Sequence, residues 1–109
     1  MKHLVVAKDF ARYPAGRYRI DGPYNGERFR EYFLKPMLIN DSVEVNLDGT
    51  RGYGSSFLEE AFGGLIRSGQ FTFTELENKL TIVSSKPSLT IEAWNYIKDA
   101  ADLLSTQSH

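Results

Sequence analysis

The sequence predicts an α/β domain with a mixed sheet of about four strands packed against about three helices. Two observations carry that expectation. Segments of alternating polarity, the signature of strands, take turns along the chain with segments whose apolar residues recur at helical spacing. The joints between them are short stretches of Gly, Pro, Ser and Asn, with no linker, internal repeat or low-complexity tract. At 109 residues the chain has material for one hydrophobic core, so residues 1–109 are read as a single domain.

In chain order, His3 to Lys8 is a short Val-rich strand, and Arg17 to Asp21 alternates charged with apolar residues as a second strand after a Pro14-Ala15-Gly16 turn. Asn25 caps a helix with Glu27 in its first turn, where a carboxylate suits the helix dipole. Phe29, Tyr32, Phe33, Pro36 and Met37 share one face, and Pro36 should end or kink that helix. Val43, Val45 and Leu47 alternate with polar residues in a strand closing at Asp48-Gly49. Ser56 and Glu59 have capping-box spacing ahead of a stripe of Leu58, Ala61, Phe62 and Leu65 that stops at Gly69. A second such box, Thr74 with Glu77, precedes a strand over Leu80 to Ser84. Pro87-Ser88 opens a last helix lined by Ile91, Trp94, Ile97, Ala101 and Leu104, with residues 105–109 expected to fray. The common core should hold Val43, Val45, Leu47, Leu58, Phe62, Leu65, Ile82, Trp94 and Ile97.

Composition narrows the function classes. A net charge of −1 provides no field for nucleic acid or an anionic membrane, so neither is an expected partner. With no Cys, disulfides and thiolate metal sites are impossible, which fits a reducing, cytoplasmic setting. The apolar run after Met1 is too short for a signal peptide. Arg17, Arg28 and Arg30 with Tyr18, Tyr24 and Phe29 are interleaved with Asp21, Glu27 and Glu31, the pattern of a mixed solvated face. Tyr13 and Tyr24 fall in loops as candidate exposed contacts.

Catalytic machinery is not expected. The only histidines are His3 and His109, and Gly54-Ser55-Ser56-Phe57-Leu58 lacks the second glycine of a nucleophile elbow. Glu59 and Glu60 are neighbours on a helix and point about 100° apart, so they cannot chelate a metal together and read as a cap residue and a solvated neighbour. Gly49 to Ser56 has no Gly-Lys ahead of its Ser, so the phosphate-loop pattern fails. No cofactor is implied.

The candidate site is Arg51, Gly52, Tyr53, Gly54, Ser55, Ser56 and Glu59, a Gly-rich passage from the carboxyl end of a strand into a capped helix. Open α/β sheets bind ligands at such ends, and the N–H groups of a first helical turn receive anions. Gly63-Gly64, each costly in a helix by about 1 kcal/mol, points to close packing against a neighbouring backbone.

The run Gly54-Ser55-Ser56-Phe57-Leu58-Glu59-Glu60-Ala61-Phe62-Gly63-Gly64-Leu65 stands downstream of Gly16-Arg17, Asp21-Gly22, Asn25-Gly26-Glu27, Phe29-Arg30 and Leu34-Lys35-Pro36. Together they resemble the STAS-like domain family of unknown function, from about Lys8 to Ala101. Such domains are similar to the anti-sigma factor antagonists of bacteria, which bind an ATPase-fold, histidine-kinase-like kinase and are switched by phosphorylation of a strand-to-helix Ser. The resemblance implies a STAS-like fold, a protein partner of that kind, a signalling role, and Ser55 or Ser56 as the modified residue. Here the loop Gly49 to Gly54 is longer than in the antagonists, whose Ser follows the strand-ending Asp almost directly. Since Ser56 is spaced to cap, Ser55 has the freer hydroxyl, with Arg51 near enough in sequence to pair with a phosphate. A small-ligand or nucleotide sensor using the same loop, a structural subunit of a larger complex, and a homo-oligomer stay open as alternatives.

Overall fold

A computed structural model describes residues 1–107. Its sheet has three strands, β1 (Lys2–Val5), β2 (Val43–Asn46) and β3 (Leu80–Val83), in the order β1-β2-β3 and all parallel. It is therefore neither four-stranded nor mixed. Among the described residues four longer helical stretches, one more than expected, accompany two short helical turns: α1 over residues 26–40, α2 over residues 55–67, α3 (Phe73–Lys79) and α4 (Pro87–Gln107). The fraying expected of the tail falls partly on residues 108–109, which lie outside the described residues.

The missing strand is the stretch Arg17 to Asp21. Asp21 turns its carboxylate back onto the N–H groups of Arg17 and Tyr18, at 3.0 and 2.9 Å, and so takes the donors a ladder would have used. A 3₁₀ turn at Arg19–Asp21 results. Gly16 makes it possible, with φ at +88° and no room for a Cβ, which would lie 2.5 Å from that of Asp21. β1 is also shorter than expected, because Val6–Phe10 winds into a π-turn and the Asp9 carboxylate accepts the Val5 N–H at 2.7 Å.

Register puts Leu4, Val45 and Ile82 on one face of the sheet, with Val43 and Leu80 beside them, and all five are buried. On the opposite face His3 and Thr81 are exposed, and His3 Nδ1 lies 3.0 Å from Glu44 Oε2. The helices therefore cover one face only, and α2 contacts both α1 and α4. Of the nine expected core residues all are buried except Trp94, which is partly covered and meets Phe73 edge-on at 6.1 Å.

Helix phases depart from expectation where small or charged residues take the inner face. On α4 the buried residues are Ala93, Ile97 and Ala100, while Ile91 and Leu104 are exposed. On α1 they are Gly26, Phe29, Arg30, Leu34 and Leu38, and Tyr32 faces solvent. Pro36 does not stop α1. A π-turn over Arg30–Leu34, in which the Lys35 N–H reaches the Arg30 carbonyl, places Pro36 in the first turn of a fresh α segment, Lys35–Asn40, where a missing donor is tolerated. Asn25 caps α1 as expected, its Oδ1 accepting from the Arg28 N–H at 2.8 Å. The box ahead of α3 is Thr72 with Glu75, not Thr74 with Glu77. The sequence offers the same spacing twice, and the earlier start turns Leu76 into the core.

Candidate functional site

β2 is the central strand, and its carboxyl end is fixed by Asp48. That carboxylate accepts from Ser84 Oγ at 3.1 Å, from the Ser85 N–H at 2.9 Å and from Ser85 Oγ at 3.0 Å, tying the loops after β2 and β3 together. The Ser85 N–H, followed by the two hydroxyls, holds its pKa below the usual carboxylate value.

From that anchor the loop runs outward. The Arg51 N–H donates to the Arg12 carbonyl at 2.8 Å, and the Arg51 guanidinium lies 5.6 Å from the ring centre of Tyr13, in cation–π range. Tyr53 turns inward: its hydroxyl donates to the Leu47 carbonyl at 2.7 Å and its ring meets Phe57 at 5.9 Å. Burial pushes the Tyr53 phenol up to about 12, so it stays a neutral donor at physiological pH. Gly52 and Gly54 are exposed, and Gly54 occupies the cap position of α2 in extended backbone.

The box expected between Ser56 and Glu59 does not form. With Gly54 at the cap, α2 begins two residues early and Ser56 falls inside the first turn, where its hydroxyl cannot serve as a cap. Ser55 and Ser56 are both exposed, and neither hydroxyl has a hydrogen-bond partner among the described residues. No side chain caps the N–H groups of that turn.

Glu59 is occupied elsewhere. It pairs with Arg17 and with Arg67, whose Nη2 is 2.9 Å from Glu59 Oε1. Burial alone would raise the Glu59 pKa, but hydrogen bonds from Arg67 and Arg17 outweigh it and hold the carboxyl low. Glu60 is no solvated neighbour either. It is buried, and Arg30 Nη1 donates both to its carboxylate and to its carbonyl at 2.6 Å. Arg30 and Phe29, expected on a solvated face, are thus interior, and Arg30 goes on to Glu31 at 2.9 Å and, through it, to Lys35. Arg17, Arg30 and Glu60 stand in the segments that carry the family resemblance, but neither they nor Arg67 belong to a pattern that assigns them this pairing. The available signal was Gly63-Gly64: a Cβ on Gly64 would run into the Arg30 guanidinium, and one on Gly63 would lie 3.3 Å from the Tyr96 carbonyl. Of the seven expected site residues, Arg51, Gly52, Gly54, Ser55 and Ser56 remain at the surface, whereas Tyr53 and Glu59 brace it from within.

The family model described as a STAS-like domain of unknown function matches residues 25–90. The chain belongs to that family. The match starts at the Asn25 cap of this STAS-like domain and ends in the first turn of α4, so it takes in α1, β2, the Gly-rich loop, α2, α3 and β3 and leaves β1 outside. No curated protein and no solved structure matches the chain. Among the described residues no helix is long and apolar enough to cross a membrane.

Proposed function

We propose that this STAS-like domain is a non-catalytic regulatory module of bacterial signalling. It docks a partner protein over the exposed stretch Arg51 to Ser56, and phosphorylation of Ser55 switches the docking. The supporting observation is the pair of unengaged hydroxyls, Ser55 and Ser56, on a helix start that no side chain caps. A phosphate on Ser55 would carry close to two negative charges to the positive end of α2, where N–H groups receive it without disturbing the core. A partner fitted to a neutral hydroxyl would meet charge and bulk instead. The partner chemistry that the family resemblance favours is an ATPase-fold, histidine-kinase-like kinase.

The test pairs phosphopeptide mapping of the protein incubated with such a kinase and ATP against affinities of Ser55→Asp and Ser55→Ala. Ser55→Asp should melt as the wild type does and bind at least about tenfold more weakly, or about 1.4 kcal/mol, while Ser55→Ala binds normally. Equal affinities for the two variants would remove the switch.

A further inference from the structure

A second surface shares no lining residue with the Ser55 loop, and the reading of it does not rest on that loop. The 3₁₀ turn Arg19–Asp21 lifts Ile20 to 93% exposure, the most exposed large apolar side chain among the described residues. Nothing about the turn is loose. Asp21 is bonded to the N–H groups of Arg17 and Tyr18, the Gly26 N–H donates to the Gly16 carbonyl, the Glu27 N–H to that of Arg17, and Asn25 Nδ2 to that of Gly22. Such a knob loses little conformational freedom on binding, which is the property of an interface anchor. A groove opens directly beside it, lined by Ile20 itself with Arg19, Pro23, Glu27, Arg28 and Tyr32, and Tyr32 is 70% exposed.

We propose that this surface binds a second copy of the chain about a two-fold axis, each Ile20 entering the other's groove. Knob and groove adjoin on one patch, as an isologous contact requires, since the same surface must supply both halves. The charges around the groove balance, Arg19 and Arg28 against Glu27 and Glu31. Within that set Arg19 and Glu27 have no side-chain hydrogen bond or ion pair among the described residues. A rotated copy offers the missing partner of each, Glu27 to Arg19 and Arg19 to Glu27. With a net charge of only −1 per chain, two copies meet without appreciable long-range repulsion.

Sedimentation equilibrium of the full chain from about 1 µM to about 300 µM should show a reversible dimer. Ile20→Glu should weaken it at least about tenfold with an unchanged melting temperature, because the side chain is an anchor of the interface and not of the fold. Arg19→Glu and Glu27→Arg should each weaken self-association, and an equimolar mixture of the two should recover it as a heterodimer. A wild-type chain that stays monomeric throughout would assign the patch to a different protein and overturn the proposal. So would wild-type association in Ile20→Glu, or a mixture that recovers nothing.

Discussion

Ser55 and Ser56 stand one turn ahead of Glu59 and Glu60 on α2, and the two pairs live in opposite circumstances. The serines are exposed, uncapping and unengaged. The glutamates are enclosed by three arginines from three parts of the chain, Arg17 from the loop before α1, Arg30 from α1 and Arg67 from the end of α2. Charge that is fully paired serves the fold, since it fixes how α1 and α2 cross. Polar groups left unpaired on an ordered framework are what a partner can use. Phosphate on Ser55 can be absorbed because the neighbouring turn is held from below by interactions it does not share.

The hardest way to break that contrast is at Glu60. Both it and Arg30 are buried, so Glu60→Ala leaves the guanidinium desolvated with only Glu31 and a backbone carbonyl against it, a defect of about 3 kcal/mol. Against an ordinary domain stability of about 5–15 kcal/mol this takes much of the margin, and denaturant titration reads it directly. Replacing both residues with Met should cost less than Glu60→Ala, because no orphaned charge remains. A single substitution no worse than the double would mean that the pair is effectively solvated.

A gentler probe is pH. In the folded chain the Glu59 carboxyl lies below its ordinary value of 4.5, so the unfolded chain binds that proton more tightly than the native one. The stabilisation is complete above 4.5 and is lost as pH falls through the lower native value. Asp21, held by the N–H groups of Tyr18 and Arg17, and Asp48, held by Ser85, carry the same sign. The urea midpoint should therefore be nearly flat between about pH 7 and about pH 5 and drop below that. Arg67→Gln should flatten the drop, since Glu59 then titrates nearer its unfolded value. A midpoint constant into the acid range would mean that these carboxylates are not held as described.

How much of this was legible in advance follows from the range of the interactions. Val43, Val45 and Leu47, whose fate depends on alternation alone, were read correctly, as was the Asn25 cap, a contact within one turn. The strand expected at Arg17 to Asp21 failed because a local rival, the Asp21 carboxylate, won the donors that alternation assigned to a neighbour. Arg30 and Glu60 read as surface charges in the sequence because thirty residues separate them and only the folded chain brings them together. Even then Gly64 held a trace of the contact, a glycine tolerated in mid-helix because a guanidinium occupies the place of its side chain. Ser56 has the spacing of a cap, yet the cap lies two residues earlier, since Gly54 can occupy that position as easily as Ser and leaves no side-chain bond to show for it.

That two-residue shift yields the smallest and sharpest test. If Gly54 is the cap, Ser56→Ala removes no hydrogen bond and should leave the melting temperature almost unchanged, where loss of a true Ser cap would cost about 1 kcal/mol. Gly54→Asp should do the opposite. A Cβ at Gly54 meets nothing within 4 Å and its backbone is already extended, so the carboxylate can turn onto the free N–H groups of the first turn. Against a glycine cap the gain is only a few tenths of a kcal/mol, with some further help from the helix dipole. For a domain of this size that is a rise of roughly 1–3 °C. The same carboxylate would occupy the donors that a phosphate on Ser55 needs and repel it besides, so the phosphorylated Gly54→Asp chain should melt lower than its unmodified form. A stabilised Gly54→Asp chain whose stability ignores phosphorylation would place the phosphate away from the helix start, and the contrast between the two ends of that turn would have to be redrawn.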